Sequence, residues 1–257
     1  MNEFIDSTLL RSDATIEDIT KLCEDAMKYH FATVCVNPYY VPLAKELLEG
    51  STTQVCTVIG FPLGANTTNV KVYEAVEALE NGADEIDMVI NIGALKDKEY
   101  EYVKREIEEV RNVLDGKVLK VIIETCYLTK EEIIKMTEIC NETFVNFIKT
   151  STGFGSRGAS VEDIKTINEH KNEVLEVKAS GGIKDSKDAE EFIKLGVTRI
   201  GTSKAVEIIG GSHCHCDNDC QCGDECDCGD ECNCGDECNC GDDCHCGEHC
   251  HCHDKED

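Results

Sequence analysis

Eight short β-branched runs, each divided from the next by a longer stretch of helical period, occupy residues 1–211 and leave few architectures open. The expected strands are Phe4 to Ser7, Ala32 to Val36, Gln54 to Gly60, Glu85 to Asn91, Leu119 to Glu124, Phe144 to Thr150, Leu175 to Ser180 and Arg199 to Ser203. Alternating strand and helix segments build βα units around a parallel sheet. Runs such as VLKVII (118–123) are apolar almost throughout, as strands covered on both faces must be. Eight of them predict a small (β/α)8 TIM barrel. The rival, an open doubly wound sheet, would carry G-x-G-x-x-G after the first strand, and this chain does not.

Helix boundaries are readable too. Ile16, Ile19, Leu22, Cys23, Ala26 and Met27 form one apolar stripe. Thr129 stands three residues before Glu132 and Ser160 three before Asp163, a capping-box spacing in both cases. Gly50, Gly82 and Gly196 follow LAKELLE, AVEALEN and EEFIKL, where a left-handed residue closes a helix.

After Gly210 and Gly211 the character changes. Of 19 cysteines in the 257 residues, 14 lie beyond position 213. They stand in seven Cys-x-Cys pairs six residues apart: Cys214 and Cys216, Cys220 and Cys222, Cys226 and Cys228, Cys232 and Cys234, Cys238 and Cys240, Cys244 and Cys246, Cys250 and Cys252. The spacers are mostly Gly-Asp-Glu, which offer nothing apolar to bury, so the segment is expected to stay disordered unless something cross-links it. The expected domains are therefore a barrel over 1–211 and an acidic tail over 212–257. Thiolates at this spacing chelate Zn²⁺, Cu(I) or Cd²⁺, and six histidines (His213, His215, His245, His249, His251, His253) add donors.

Charge excludes other classes. The tail holds 15 acids against one lysine, and residues 1–211 hold the remaining 37 acids and 24 bases, so both parts are strongly negative. Phosphate backbones need clustered Lys and Arg, which argues against nucleic acid. The amino terminus MNEFIDSTLL is acidic, and no apolar run approaches the roughly 18 residues of a membrane span, which leads to an expected cytoplasmic location. In that reducing compartment thiols stay free for metal.

Within the barrel three charged residues sit in otherwise apolar strands: Asp87 in EIDMVIN, Lys149 in FIKTSTGF and Lys178 in VKASGGI. A buried charge is costly without a partner. A structural ion triad would satisfy that, but the trio also supplies Schiff-base chemistry, in which one lysine attacks a carbonyl while the second, beside it, favours the neutral amine and joins Asp87 in proton transfer. The residues alone leave open which lysine attacks. Gly153, Gly181, Gly182, Gly201 and Ser203 lie after strands six, seven and eight, where barrels of this kind place phosphate.

The segments VCVNP (34–38), TVIGFPLGA (57–65), GADEIDMVIN (82–91), KVIIET (120–125), FIKTSTGF (147–154), VKASGGI (177–183) and RIGTS (199–203) closely resemble the deoxyribose-phosphate aldolase family, in order, across residues 3–210. The resemblance implies a class I aldolase with no cofactor for catalysis, splitting 2-deoxyribose 5-phosphate into glyceraldehyde 3-phosphate and acetaldehyde. It implies Lys149 as the Schiff-base nucleophile, Lys178 as the second lysine and Asp87 as the proton-relay acid. The expected partners are a small sugar phosphate and a second copy of the chain in a homodimer, with neither nucleic acid nor membrane. Ser7 stands where many relatives have histidine, and Lys204 where a second serine often follows. Two alternatives remain: another lysine-dependent aldolase or transaldolase, and a metal-sequestering protein carried on an aldolase-like barrel. The tail is similar in composition to metallothioneins.

Overall fold

The computed structural model describes residues 1–210. Eight parallel strands close on themselves in chain order, with the first paired to both the second and the eighth. They are β1 (Ile5–Leu9), β2 (Thr33–Val36), β3 (Gln54–Ile59), β4 (Glu85–Val89), β5 (Val118–Ile122), β6 (Phe147–Lys149), β7 (Glu176–Ser180) and β8 (Arg199–Thr202). The helices are α1 (Ile16–Tyr29), α2 (Val41–Leu47), α3 (Thr68–Glu80), α4 (Ile92–Lys96), α5 (Tyr100–Val113), α6 (Lys130–Glu142), α7 (Val161–His170), α8 (Ser186–Lys194) and α9 (Ala205–Ile208). The fold is a TIM barrel. Met1–Ala205 form one compact unit. The tail cysteines from Cys214 to Cys252 lie outside the described residues. Among those described, no helix is long and apolar enough to cross a membrane.

Strand period puts two populations on the two faces of the sheet. Ile86 and Met88 of β4, Leu119 and Val121 of β5, Ile148 of β6 and Ile200 of β8 are fully buried in the layer under the helices. The opposite parity, Asp87, Lys120, Lys149 and Lys178, lines the barrel interior and is polar.

Local signals behave as spacing predicts, with three differences. Thr15 with Asp18 and Thr129 with Glu132 form complete capping boxes. At Ser160 the box is half built, because the hydroxyl accepts the Asp163 N–H at 3.2 Å while the Asp163 carboxylate turns to Arg157. Gly50, Gly82 and Gly196 are left-handed, at φ of 79°, 100° and 90°. The stripe of α1 starts a turn later than expected, with Ile19, Cys23 and Ala26 buried and Ile16 62% exposed. β6 is three residues long rather than seven, because Phe144 is consumed in closing α6, with φ 52° and its ring largely exposed.

One buried ion pair fixes the height of β4. Lys71 of α3 and Glu106 of α5 meet at 2.8 Å, both wholly buried. The Lys71 ammonium also donates to the Val89 carbonyl at 2.8 Å, and Glu106 accepts the Asn91 N–H at 3.1 Å. Two helices thus grip the carboxyl end of the strand that carries Asp87. A Cβ at Gly60 would meet Lys71 Cε at 2.7 Å, so glycine there leaves room for the lysine stem. Burial pushes the Lys71 amine down and the Glu106 carboxyl up, so each needs the other. Lys71→Met is expected to cost about 3–5 kcal/mol by stranding Glu106, and adding Glu106→Leu is expected to recover much of it. Urea unfolding of the two variants checks this, and equal losses would remove the pair from its bracing role.

Candidate active site

The strand parity that points Asp87 inward does the same for one residue on each neighbouring strand, and closure of the barrel collects them. Asp87 pairs in register with Lys120, and Lys149 with Lys178. At the centre the Asp87 carboxylate is shared by three ammonium groups. Its Oδ2 accepts from Lys149 and from Lys178, each at 2.8 Å, and its Oδ1 accepts from Lys120, also at 2.8 Å. Asp87, Lys120 and Lys178 are completely buried, and Lys149 is 2% exposed.

A second tier holds the first. Lys178 reaches Asp6 of β1 at 2.5 Å, and Lys120 reaches Glu85 at 2.5 Å and Asp6 at 3.8 Å. Arg199 of β8 bridges Asp6 and Glu85, the latter at 2.7 Å. Gly201 of β8 belongs to this packing. A Cβ there would meet Lys178 Cε at 3.1 Å, so glycine lets the lysine pass.

The electrostatics follow from the partner counts. Burial alone would raise the Asp87 carboxyl, but Lys120, Lys149 and Lys178 outweigh it and hold it well below the usual carboxylate range. Burial would lower Lys178, and Asp6 with Asp87 reverse that, keeping it above the ordinary lysine value. Lys120 is raised in the same way, chiefly by Asp87. The strand residues taken alone left either lysine as nucleophile, and the family resemblance implied Lys149. Geometry separates them: freeing a proton from Lys178 breaks two ion pairs, with Asp6 and Asp87, whereas Lys149 has one, with Asp87. Lys178 is therefore the more tightly held ammonium of the two.

The glycine segments converge on the same end of the barrel. Glu124, directly after β5, takes a left-handed conformation (φ 53°), and its carboxylate accepts the Thr152 N–H at 3.2 Å and the Thr152 hydroxyl. This ties the loop after β6 to β5, and Arg157 fastens its far side to Thr125 and Asp163. A Cβ at Gly158 would lie 1.9 Å from the Gly181 carbonyl oxygen, so the loop packs backbone to backbone against the turn after β7. Gly153, Gly181 and Gly182 are all left-handed, at φ of 89°, 80° and 75°. Around Gly153 and Gly182 nothing stands within 4 Å of where a side chain would begin. Ser203 follows β8, whereas Gly201, expected in that loop, is part of the strand.

Sequence reasoning missed Lys120, Asp6, Glu85 and Arg199. Lys120 carried the signal that identified Lys149 and Lys178, a lone charge in an apolar strand. Also missed were Cys35 of β2 and Cys56 of β3. They pair in register, and their sulfurs and an Asp87 oxygen lie within 4.8 Å of one another. Among the described residues these three are the group whose donor atoms are close enough to hold a metal ion.

Residues 4–206 match the family model described as DeoC/LacD family aldolase. The chain is 55% identical over 207 residues to the deoxyribose-phosphate aldolase of Dictyoglomus turgidum, covering 80% of this chain and 94% of that one. It is 53% identical over 211 residues to the deoxyribose-phosphate aldolase of Finegoldia magna, covering 82% and 99%. Among solved structures it is similar to the tetrameric deoxyribose phosphate aldolase of Aeropyrum pernix, at 32% identity and TM-score 0.76, covering 81% of this chain and 89% of that one.

The shared carboxylate gives a measurable pH dependence. Asp87→Asn is expected to cost about 3–5 kcal/mol at neutral pH by leaving three buried ammonium groups without their common partner. Because the Asp87 carboxyl is depressed on folding, that difference is present above its ordinary value of 3.8 and shrinks as pH falls below it. The expected slope is about 1.4 kcal/mol per pH unit. Chemical denaturation of the two proteins from pH 7 to pH 2 measures it, and a constant difference would show that Asp87 does not bind the lysines as an ion.

Proposed function

This chain belongs to the DeoC/LacD family of aldolases, and from that footing we propose that it cleaves 2-deoxyribose 5-phosphate to glyceraldehyde 3-phosphate and acetaldehyde through a Schiff base on Lys149. The observation that carries the assignment of Lys149 is its position: it is the lysine of the cluster with some exposure and with a single carboxylate partner. In the proposed reaction the Lys149 amine adds to the substrate aldehyde and water leaves, forming an iminium. The iminium withdraws electrons as the bond between C2 and C3 breaks and the C3 hydroxyl loses its proton. Glyceraldehyde 3-phosphate departs, the enamine is protonated at C2, and water releases acetaldehyde.

Lys178 and Asp87 serve these proton transfers. Lys178, held as an ammonium by Asp6 and Asp87, keeps positive charge beside Lys149 and offers a proton, and Asp87 is the carboxylate through which protons pass between the lysines. Lys120 donates to the far oxygen of Asp87 and fixes its plane. The proposed phosphate cradle is the backbone of Gly153, Gly181 and Gly182 with Ser203. It is supported by the close approach of the Gly158 loop to Gly181 and by the open space at Gly153 and Gly182. Gly201 enters through packing against Lys178. We read the chain as cytoplasmic and dimeric.

The tail from 212 to 257 is proposed as a separate soft-metal module, its donors Cys214 to Cys252 in Cys-x-Cys pairs. Its separateness is supported by the relatives, since 211 aligned residues make up 99% of the Finegoldia magna enzyme.

Borohydride with deoxyribose 5-phosphate is expected to reduce a two-carbon or sugar adduct onto Lys149, located by peptide mass spectrometry. Lys149→Arg should abolish it, because a guanidinium stays protonated; Lys178→Leu should retain the fold and lose roughly 10²–10⁴-fold in turnover. Label on a different lysine would reject the assignment. Truncation after Gly211 is expected to keep aldolase activity, insensitive to EDTA, and to lose the thiolate charge-transfer absorption that Cd²⁺ gives the full chain. An enzyme that EDTA silences would contradict the division of labour.

A further inference from the structure

The barrel interior holds two thiols that the aldolase chemistry leaves unused. Cys35 and Cys56 sit side by side on β2 and β3, both wholly buried. They differ from the other buried cysteines in their surroundings. Cys23 and Cys140 belong to α1 and α6 and face no charged group of the barrel interior, although burial pushes their thiols up as it does that of Cys56. The Cys56 thiol donates to Asp87 Oδ1 at 3.2 Å and accepts from the Lys120 ammonium at 3.3 Å. Two soft donors and one carboxylate oxygen therefore converge within 4.8 Å, on the oxygen that Lys120 also binds.

Size and charge select the ligand. With metal–sulfur bonds of about 2.3 Å, a two-thiolate bridge spans about 4.6 Å when linear and less when bent towards an oxygen, which the 4.8 Å spread accommodates. The set of three has no imidazole and falls one short of the four ligands a structural zinc site takes. Counted in their ordinary ionised forms, the groups around it are four cations (Lys120, Lys149, Lys178, Arg199) against three anions (Asp6, Glu85, Asp87), leaving one unbalanced positive charge. A monovalent ion that displaces two thiol protons adds one net negative charge and balances the cluster. A divalent ion adds none. Thiolate ligands favour soft ions such as Cu(I).

We propose that Cys35, Cys56 and Asp87 form an internal site for a monovalent thiophilic cation of the Cu(I) type, whose binding takes from Lys120 the Asp87 oxygen that fixes the plane of the carboxylate, and so stops turnover. Binding exchanges two thiol protons for one metal ion, with no change of oxidation state: M⁺ and two S–H groups give a bis-thiolate and two protons released to buffer. The loss of turnover rests on the proposed role of Asp87; the binding does not. The site also gives the fourteen tail cysteines a role beside this enzyme, since a thiolate-rich segment on the same chain competes for the ions that would enter the barrel.

The test uses the full chain, reduced and anaerobic, titrated with Ag(I) as a redox-inert monovalent probe. Each variant is normalised to its own silver-free retro-aldol rate. At saturation the parent and Cys126→Ser are expected to fall more than 10-fold, while Cys35→Ala and Cys56→Ala hold their rates and retain one ion fewer in native mass spectrometry. Anomalous diffraction from silver-loaded parent crystals should place a peak between Cys35 and Cys56, which decides the matter even where a cysteine variant folds poorly. A saturated protein without that peak, or cysteine variants silenced along with the parent, would overturn the proposal. A wrong role for Asp87 would show separately, as full turnover of silver-free Asp87→Asn.

Discussion

One carboxylate organises the centre of this barrel. Asp87 accepts from Lys120, Lys149 and Lys178 at 2.8 Å each, in a space where none of the four is more than 2% exposed. Removing any charge from water is expensive, and three like charges within reach of one another are tolerated only where anions stand between them. Asp6 and Glu85 extend the same logic outward, and Arg199 closes the circuit from β8 back to β1 and β4. The cluster is thus both the interior packing of the barrel and its proposed reactive centre, and its members come from β1, β4, β5, β6, β7 and β8.

The rest of the structure keeps that carboxylate at a fixed height. Lys71 and Glu106 hold the end of β4 from the helix side, and the left-handed Glu124 holds the loop after β6 from the end of β5. Strain at Glu124 is sustained because its carboxylate has two partners in that loop. Lys149 is left with the lightest restraint in the cluster, which suits the one residue proposed to form and break a covalent bond. Lys178 and Lys120, with more anions each, are held more firmly as ammonium groups.

Two metal chemistries meet in the chain without serving the proposed reaction. The acidic Cys-x-Cys tail is proposed as a soft-metal module, and the interior pair Cys35 and Cys56 is proposed to take the same class of ion beside Asp87. An enzyme whose central carboxylate lies beside two thiols gains from a high-capacity thiolate segment on the same chain. That would give the fusion of an aldolase barrel to such a tail a physical purpose.

The sequence by itself determined the number and order of the strands, the capping of α6 and the left-handed stops at Gly50, Gly82 and Gly196. All of these are set by contacts within a few residues, and composition likewise marked the tail as a different kind of segment. Asp87, Lys149 and Lys178 were legible because a charge in an apolar strand demands a partner. The tertiary structure alone decided who the partners were. Lys120 and Asp6 bore the same signal and went unread, because which inward-facing residues meet depends on the stagger with which eight strands close, a property of no single strand. Closure also showed Gly201 to be clearance for a lysine, and made Cys35 and Cys56 neighbours of a carboxylate. Parity along a strand says that a side chain points inward; only the register across strands says what it finds there.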